Sequence, residues 1–182
     1  MDAEWGPAQR LSDVFAHPWN MTLGAIQDES LVREISKRMA EQNKALGVHI
    51  NFSPSVDVNN NSKNPIIGNR SFGEDPVNVY KKAKAYIQGH KDVGVYTSIK
   101  HFPGHGDTDK DSHKTLPVIS GNMKRLNNIE LFPFKRLIED GLAESVMLAH
   151  LSVPAIDKKY PSSLSYKTCL LYTSPSPRDV RS

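Results

Sequence analysis

The chain predicts an α/β fold on a parallel sheet, a partial (β/α)8 TIM barrel incomplete at both ends, and three observations carry that reading. Helical periodicity, then a glycine, then a short apolar run recur three times. The apolar runs start near residues 48, 95 and 145, a spacing of about 48 residues, as β/α alternation around a parallel sheet requires. Polar residues gather just after each run, the way a barrel assembles its site from several strand ends at one face. An open doubly wound sheet is disfavoured, because no G-x-G-x-x-G follows a strand. A complete barrel needs about 250 residues, and this chain has 182.

The first helix is expected from about Ser30 to Leu46, where Val32, Ile35, Met39 and Leu46 fall on one face and Gly47 marks the stop. The second runs from Asp75 or Pro76 to about Val93. Asp75 suits a cap and Pro76 a first helical position; Tyr80, Ala83 and Ile87 line a face, and Gly94 ends it. The third spans about Asn122 to Asp140, burying Leu126, Ile129, Phe132, Leu137 and Ile138, with Pro133 imposing a kink or a division into two. Each helix leads into an apolar run of the length of a buried parallel strand: Val48 to Phe52, Val95 to Ile99 and Ser145 to Ala149. From Cys169 the text reads CLLYTSPSPRDVRS, without apolar period, so residues 1–168 are assigned to the barrel piece and 169–182 to a disordered or adaptor-derived tail.

Composition narrows the function. The 23 basic and 20 acidic residues leave a net charge of +3 with the basic side chains scattered, unlike a nucleic-acid footprint. No apolar run approaches the ~18 to 20 residues of a membrane span. Asp2, Glu4 and Arg10 stand where a signal peptide would be apolar. The single cysteine, Cys169, forms no internal disulfide.

The densest chemistry is Lys100-His101-Phe102-Pro103-Gly104-His105-Gly106-Asp107-Thr108-Asp109-Lys110-Asp111-Ser112-His113, which Pro103, Gly104 and Gly106 hold as a loop. A calcium loop fails at Ser112 and Val118, where Gly and Glu are needed. Nor does any metal-ligand spacing join His101, His105 and Asp107, so no metal is assigned. Acid/base chemistry fits better. Asp111 can brace the His113 ring, which then donates a proton to a leaving oxygen and later takes one from water. Lys100 and His101, at a strand end, are placed to grip hydroxyls. Arg70, after an Asn-rich loop, reads either as a structural arginine paired with Glu74 or Asp75 or as a contact to hydroxyls or a carboxylate. Asp57 reads either as a ligand contact or, at least as well, as support for the loop through backbone bonds, and His150 either as a structural strand-end residue or as one backing the site. Glu130, Lys135 and Glu139 read as the solvated face of a helix. His17, His49 and His90 carry no functional claim.

The string KHFPGHGDTDKDSH resembles, almost letter for letter, the signature of glycoside hydrolase family 3, in its β-N-acetylhexosaminidase branch, and the likeness extends from about Asp2 to Ser165. The resemblance implies a retaining exo-glycosidase on a (β/α)8 barrel that removes terminal β-linked N-acetylglucosamine from peptidoglycan- or chitin-derived glycans. It implies no cofactor and a bacterial cytoplasmic or periplasmic setting. Position by position it puts the acid/base histidine on His113 and its partner on Asp111. The sugar-holding pair falls on Lys100 and His101, and the arginine of Arg-Ser-Phe on Arg70. An Asp and Arg eight apart fall on Asp2 and Arg10. Asp2-Ala3-Glu4-Trp5-Gly6 departs from the family pattern in carrying Trp5 where a glycine is usual. After Ser163-Leu164-Ser165 the family continues to a strand whose Thr-Asp-Asp or Thr-Asp-Ala supplies the nucleophile, which this text does not reach. A β-glucosidase of the same family and a catalytically dead sugar-binding fragment are the alternatives.

Overall fold

Local signals account for the helices in the computed structural model, which describes residues 1–108 and 116–173. The helices are α1 (Asn20–Gly24), α2 (Glu29–Ala45), α3 (Pro76–Val93), α4 (Met123–Asn128), α5 (Phe132–Glu139) and α6 (Tyr166–Leu170). Asp28 caps α2 by accepting from the Ser30 N–H, and Asp75 caps α3 by accepting from Val77 and Asn78. Gly94 closes α3 in the left-handed region at φ 77°. α2 and α3 pack with their backbones close: a Cβ on Gly89 would lie 2.4 Å from the Arg33 carbonyl oxygen. The buried face of α2 is Val32, Ser36, Met39, Ala40 and Asn43. Leu46, expected on it, is exposed because it follows the last helical turn.

The third helical span is two helices, with Pro133 in the first turn of α5, where its missing N–H is harmless. Glu130, expected on a solvated face, is instead buried in the bend between α4 and α5. The bend turns it inward toward Arg125, whose Nη2 lies 2.8 Å from its carboxylate.

The strands are β1 (Ile50–Asn51), β2 (Tyr96–Thr97), β3 (Ile99–Phe102) and β4 (Val146–Leu148); β2 runs parallel to β1 and β4 parallel to β3. Met1 extends the array on the other side of β1, its ammonium donating to Ile50 and its carbonyl accepting from Phe52. Four chain segments thus run side by side in the order N-terminus, β1, β2/β3, β4. The second strand region does not stop at Ile99 but runs on through Lys100, His101 and Phe102, residues whose polarity reads as loop. Lys100 and Phe102 are nonetheless buried, because ion pairs compensate the lysine.

One apolar core fills the space between strands and helices, with Val32, Met39, Tyr86, Ile99, Phe102 and Phe134 among its members. Phe102 meets Phe134 edge-on at 5.2 Å and Tyr172 at 5.1 Å between ring centroids. Ser165 caps α6 by accepting from Thr168, and Leu171 and Tyr172 pack against the core. The division expected at 168/169 therefore falls inside a helix. Among the described residues no helix is long and apolar enough to cross a membrane.

Candidate active site

The N-terminal turn, the β1 loop and the C-terminal ends of β3 and β4 meet around a cavity of about 640 Å³. Asp2, Arg10, Arg70, Lys100 and His101, far apart in sequence, all line it. Lys100 is 1% exposed and its Nζ lies 2.9 Å from Asp2 Oδ1 and 2.8 Å from Glu4 Oε1. Arg10 Nη2 takes the other Asp2 oxygen at 2.9 Å. Arg70 grips Glu4 through Nη2 at 2.8 Å and Nε at 3.0 Å, a fork that lysine would not reproduce. Cations and carboxylates alternate along the chain of contacts Arg10, Asp2, Lys100, Glu4, Arg70, so each buried charge has opposite neighbours to offset its desolvation.

The acids respond accordingly. Burial alone would raise Asp2, but Lys100 and Arg10 outweigh it and hold its carboxyl below the ordinary value. Glu4 is likewise pushed up by burial and brought below its usual range by Arg70 and Lys100. For Arg70 burial works against the charge, and the Glu4 carboxylate reverses that and raises the guanidinium. These groups stay ionised at neutral pH.

Asp57 anchors the next layer. It is fully buried and accepts from the backbone N–H groups of His105 at 2.7 Å and His101 at 3.2 Å, and from Ser55 Oγ at 2.8 Å. Burial would raise it, yet the His101 ring and these donors hold it far below the carboxylate range. His101 Nδ1 lies 2.7 Å from Asp57 Oδ2, while Arg70 Nη2 stands 3.1 Å from His101 Nε2. These two contacts fix the orientation of the ring, with Nδ1 turned to Asp57 and Nε2 to Arg70. Gly106 lets the following loop pass against the β1 loop, since a Cβ there would be 1.7 Å from the Val58 carbonyl oxygen. Asn64 ties the same loop down by donating to the His105 carbonyl at 2.7 Å.

Asp111 and His113, the expected acid/base pair, lie outside the described residues. The expected Arg70 pairing with Glu74 or Asp75 is replaced by Glu4, because the Asp75 carboxylate caps α3. The sequence gives no sign of Glu4, while the loop support expected of Asp57 is what its bonds to the His101 and His105 N–H groups provide. The alternation Ser55, Asp57 after β1 was the one local sign that these side chains face the same way; Glu4 gave none. His150 lines the cavity with its Nδ1 2.6 Å from Ser163 Oγ. Among the described residues no group of three His, Cys, Asp or Glu side chains is arranged to hold a metal ion.

Comparison with known proteins adds an independent finding. Residues 1–171 match the model of the glycosyl hydrolase family 3 N terminal domain. A β-hexosaminidase A of Pseudoalteromonas piscicida is 36% identical over 162 residues, covering 86% of this chain and 27% of that protein. A β-hexosaminidase of Nitrosomonas eutropha is 37% identical over 174 residues, 92% of this chain and 49% of that protein. Among solved structures, a glycoside hydrolase family 3 β-N-acetylglucosaminidase from Paenibacillus sp. str. FPU-7 superposes with a TM-score of 0.87 at 41% identity, over 92% of this chain and 32% of that one. Native NagZ from Neisseria gonorrhoeae gives 0.81 at 32% identity, over 90% and 49%. The chain spans about half, or less, of the length of these relatives.

Proposed function

Because the chain belongs to glycosyl hydrolase family 3, through its N-terminal domain, we propose that it forms part of a retaining exo-glycosidase that releases terminal β-linked N-acetylglucosamine from peptidoglycan- or chitin-derived glycans. The observation that carries this reading is the buried network of alternating charge open to the cavity: Asp2, Lys100, Glu4 and Arg70, with Arg10 and His101 at its edges. Such a wall offers carboxylate acceptors and cationic donors together, which suits a ligand rich in hydroxyls. The relatives named β-hexosaminidase point to the same class of sugar.

In the proposed reaction a carboxylate attacks the anomeric carbon while His113, braced by Asp111, protonates the leaving glycosidic oxygen. His113 then takes a proton from water as that water attacks the anomeric carbon of the glycosyl-enzyme and displaces the enzyme carboxylate. The ordinary imidazole value near ~6.5 suits a group that must act first as acid and then as base. The attacking carboxylate is proposed to come from a strand beyond Ser165, and the four parallel segments to be an arc of a (β/α)8 barrel that further strands close. No step calls for a cofactor.

The test compares 4-nitrophenyl N-acetyl-β-glucosaminide with the corresponding glucoside, using this chain and a chain extended through the following strands. Turnover of the glucosaminide by the extended chain alone is expected. Equal turnover of the glucoside would favour a β-glucosidase, and failure of the extended chain on both would leave a sugar-binding module. In the extended chain, His113→Ala is expected to slow poor leaving groups more than good ones.

A further inference from the structure

We propose that Trp5 and Trp19 form a stacking wall for the apolar face of the pyranose ring whose hydroxyl edge meets Asp2 and Arg10. This inference rests on the sugar-binding reading and deepens it. These are the only two tryptophans in the chain, and they come together from separate segments: Trp5 follows Asp2 in the N-terminal turn, and Trp19 is the extended residue that precedes α1. Their ring centroids lie 3.8 Å apart with the planes inclined by 32°, and both rings line the cavity that holds the charged network. Trp19 is 42% exposed. Paired indoles left partly in water at the edge of a concave polar site are characteristic of a binding surface.

The geometry also fits the chemistry of a sugar. A pyranose with equatorial hydroxyls has its polar groups around the rim and C–H bonds on its faces, so it needs acceptors and donors at the edge and an apolar plate against one face. One short turn supplies both here. Asp2 presents a carboxylate already oriented by Lys100 and Arg10, and Trp5, three residues on, stacks with the more exposed Trp19, whose free face completes the plate. Glycine, the residue that the family resemblance leads one to expect at position 5, would present no plate, so the wall is a property of this chain's own residues.

The tryptophans provide their own test, because all indole fluorescence arises from this wall. Titrating the chain with N-acetylglucosamine, by emission and in parallel by calorimetry, is expected to give a saturable emission change with the calorimetric affinity. Trp19→Ala should weaken binding about three- to tenfold, the range that one aromatic contact supports, while Trp5→Phe should retain most of the affinity; circular dichroism checks that each variant is folded. Calorimetric binding without an emission change, or folded Trp19→Ala and Trp5→Gly variants that bind within twofold of the parent, would overturn the wall and leave the sugar site standing. An absence of any binding heat would overturn both.

Discussion

Two buried polar clusters lie back to back in this molecule and differ in what they can do. One, between α2, α3 and β1, joins Ser36, Asn51, Tyr86 and His90; the other is the charged layer of Asp2, Glu4, Asp57, Arg70 and Lys100. In the first, Asn51 exchanges hydrogen bonds of 3.0 Å with the Ala3 N–H and C=O, which orients its amide so that Nδ2 faces His90 Nε2 at 3.0 Å. Nε2 must then accept, and His90 Nδ1 carries the proton toward Ser36 Oγ at 2.8 Å, while Ser36 donates to the Tyr86 carbonyl. Every member is neutral and matched, and Tyr86 stacks on the His90 ring at 4.7 Å. The second cluster is charged, with Glu4, Asp57 and Lys100 buried and Asp2 and Arg70 partly open where it faces a cavity. Burial of polar residues therefore does not mark a functional site; charge held in place beside open space does.

Removing Glu4 should break the charged layer most severely. Glu4→Leu leaves Arg70 and Lys100 facing each other without their shared carboxylate, and a loss of about 3–5 kcal/mol is expected, read as a lowered urea midpoint together with lost sugar binding. A loss below about 1 kcal/mol would mean that the layer is not held as described.

The pH dependence separates the clusters next. Burial pushes His90 down to about 4, so on acidification the unfolded chain takes up its proton first. The corresponding stability is full above about pH 6.5 and declines toward pH 4, by about 3 kcal/mol in all. The lowered values of Asp2, Glu4 and Asp57 have the opposite origin, and their contribution is lost only below the ordinary carboxylate range. Melting temperatures from pH 7 to 4 should therefore fall in the parent and stay flatter in His90→Gln; equal slopes would refute the assignment.

Ser36→Ala is a milder probe. It strips the acceptor from His90 Nδ1 and should cost about 1–3 kcal/mol with unchanged sugar affinity, since that cluster does not reach the cavity. Smallest of all in stability is Arg10→Ala, whose half-exposed pair with Asp2 should be worth at most about 1 kcal/mol. Its effect should appear in sugar affinity instead, and calorimetry beside denaturant titration reads both.

How much of this was legible beforehand differs by kind of interaction. The α3 boundaries follow from Asp75, Pro76 and Gly94, because capping acts within one turn. The gathering of Lys100 and His101 near a site could be read from the loop that follows them. That Lys100 lies inside a strand could not, since a lysine reads as buried only once its distant acids are known. Glu130 was misplaced for the same reason: helical period says which face a residue takes, but the bend between α4 and α5 turned that position into the core.

The sequence by itself determined the main helices and the parallel β/α order, because periodicity, caps and motif act over a few neighbouring positions. Only the tertiary structure decided that Glu4 and not Glu74 or Asp75 holds Arg70, that Asp57 and Arg70 orient the His101 ring, and that two tryptophans meet at the rim. Those contacts join residues tens of positions apart, and their energies exist only after the parallel strands have brought their ends to one face.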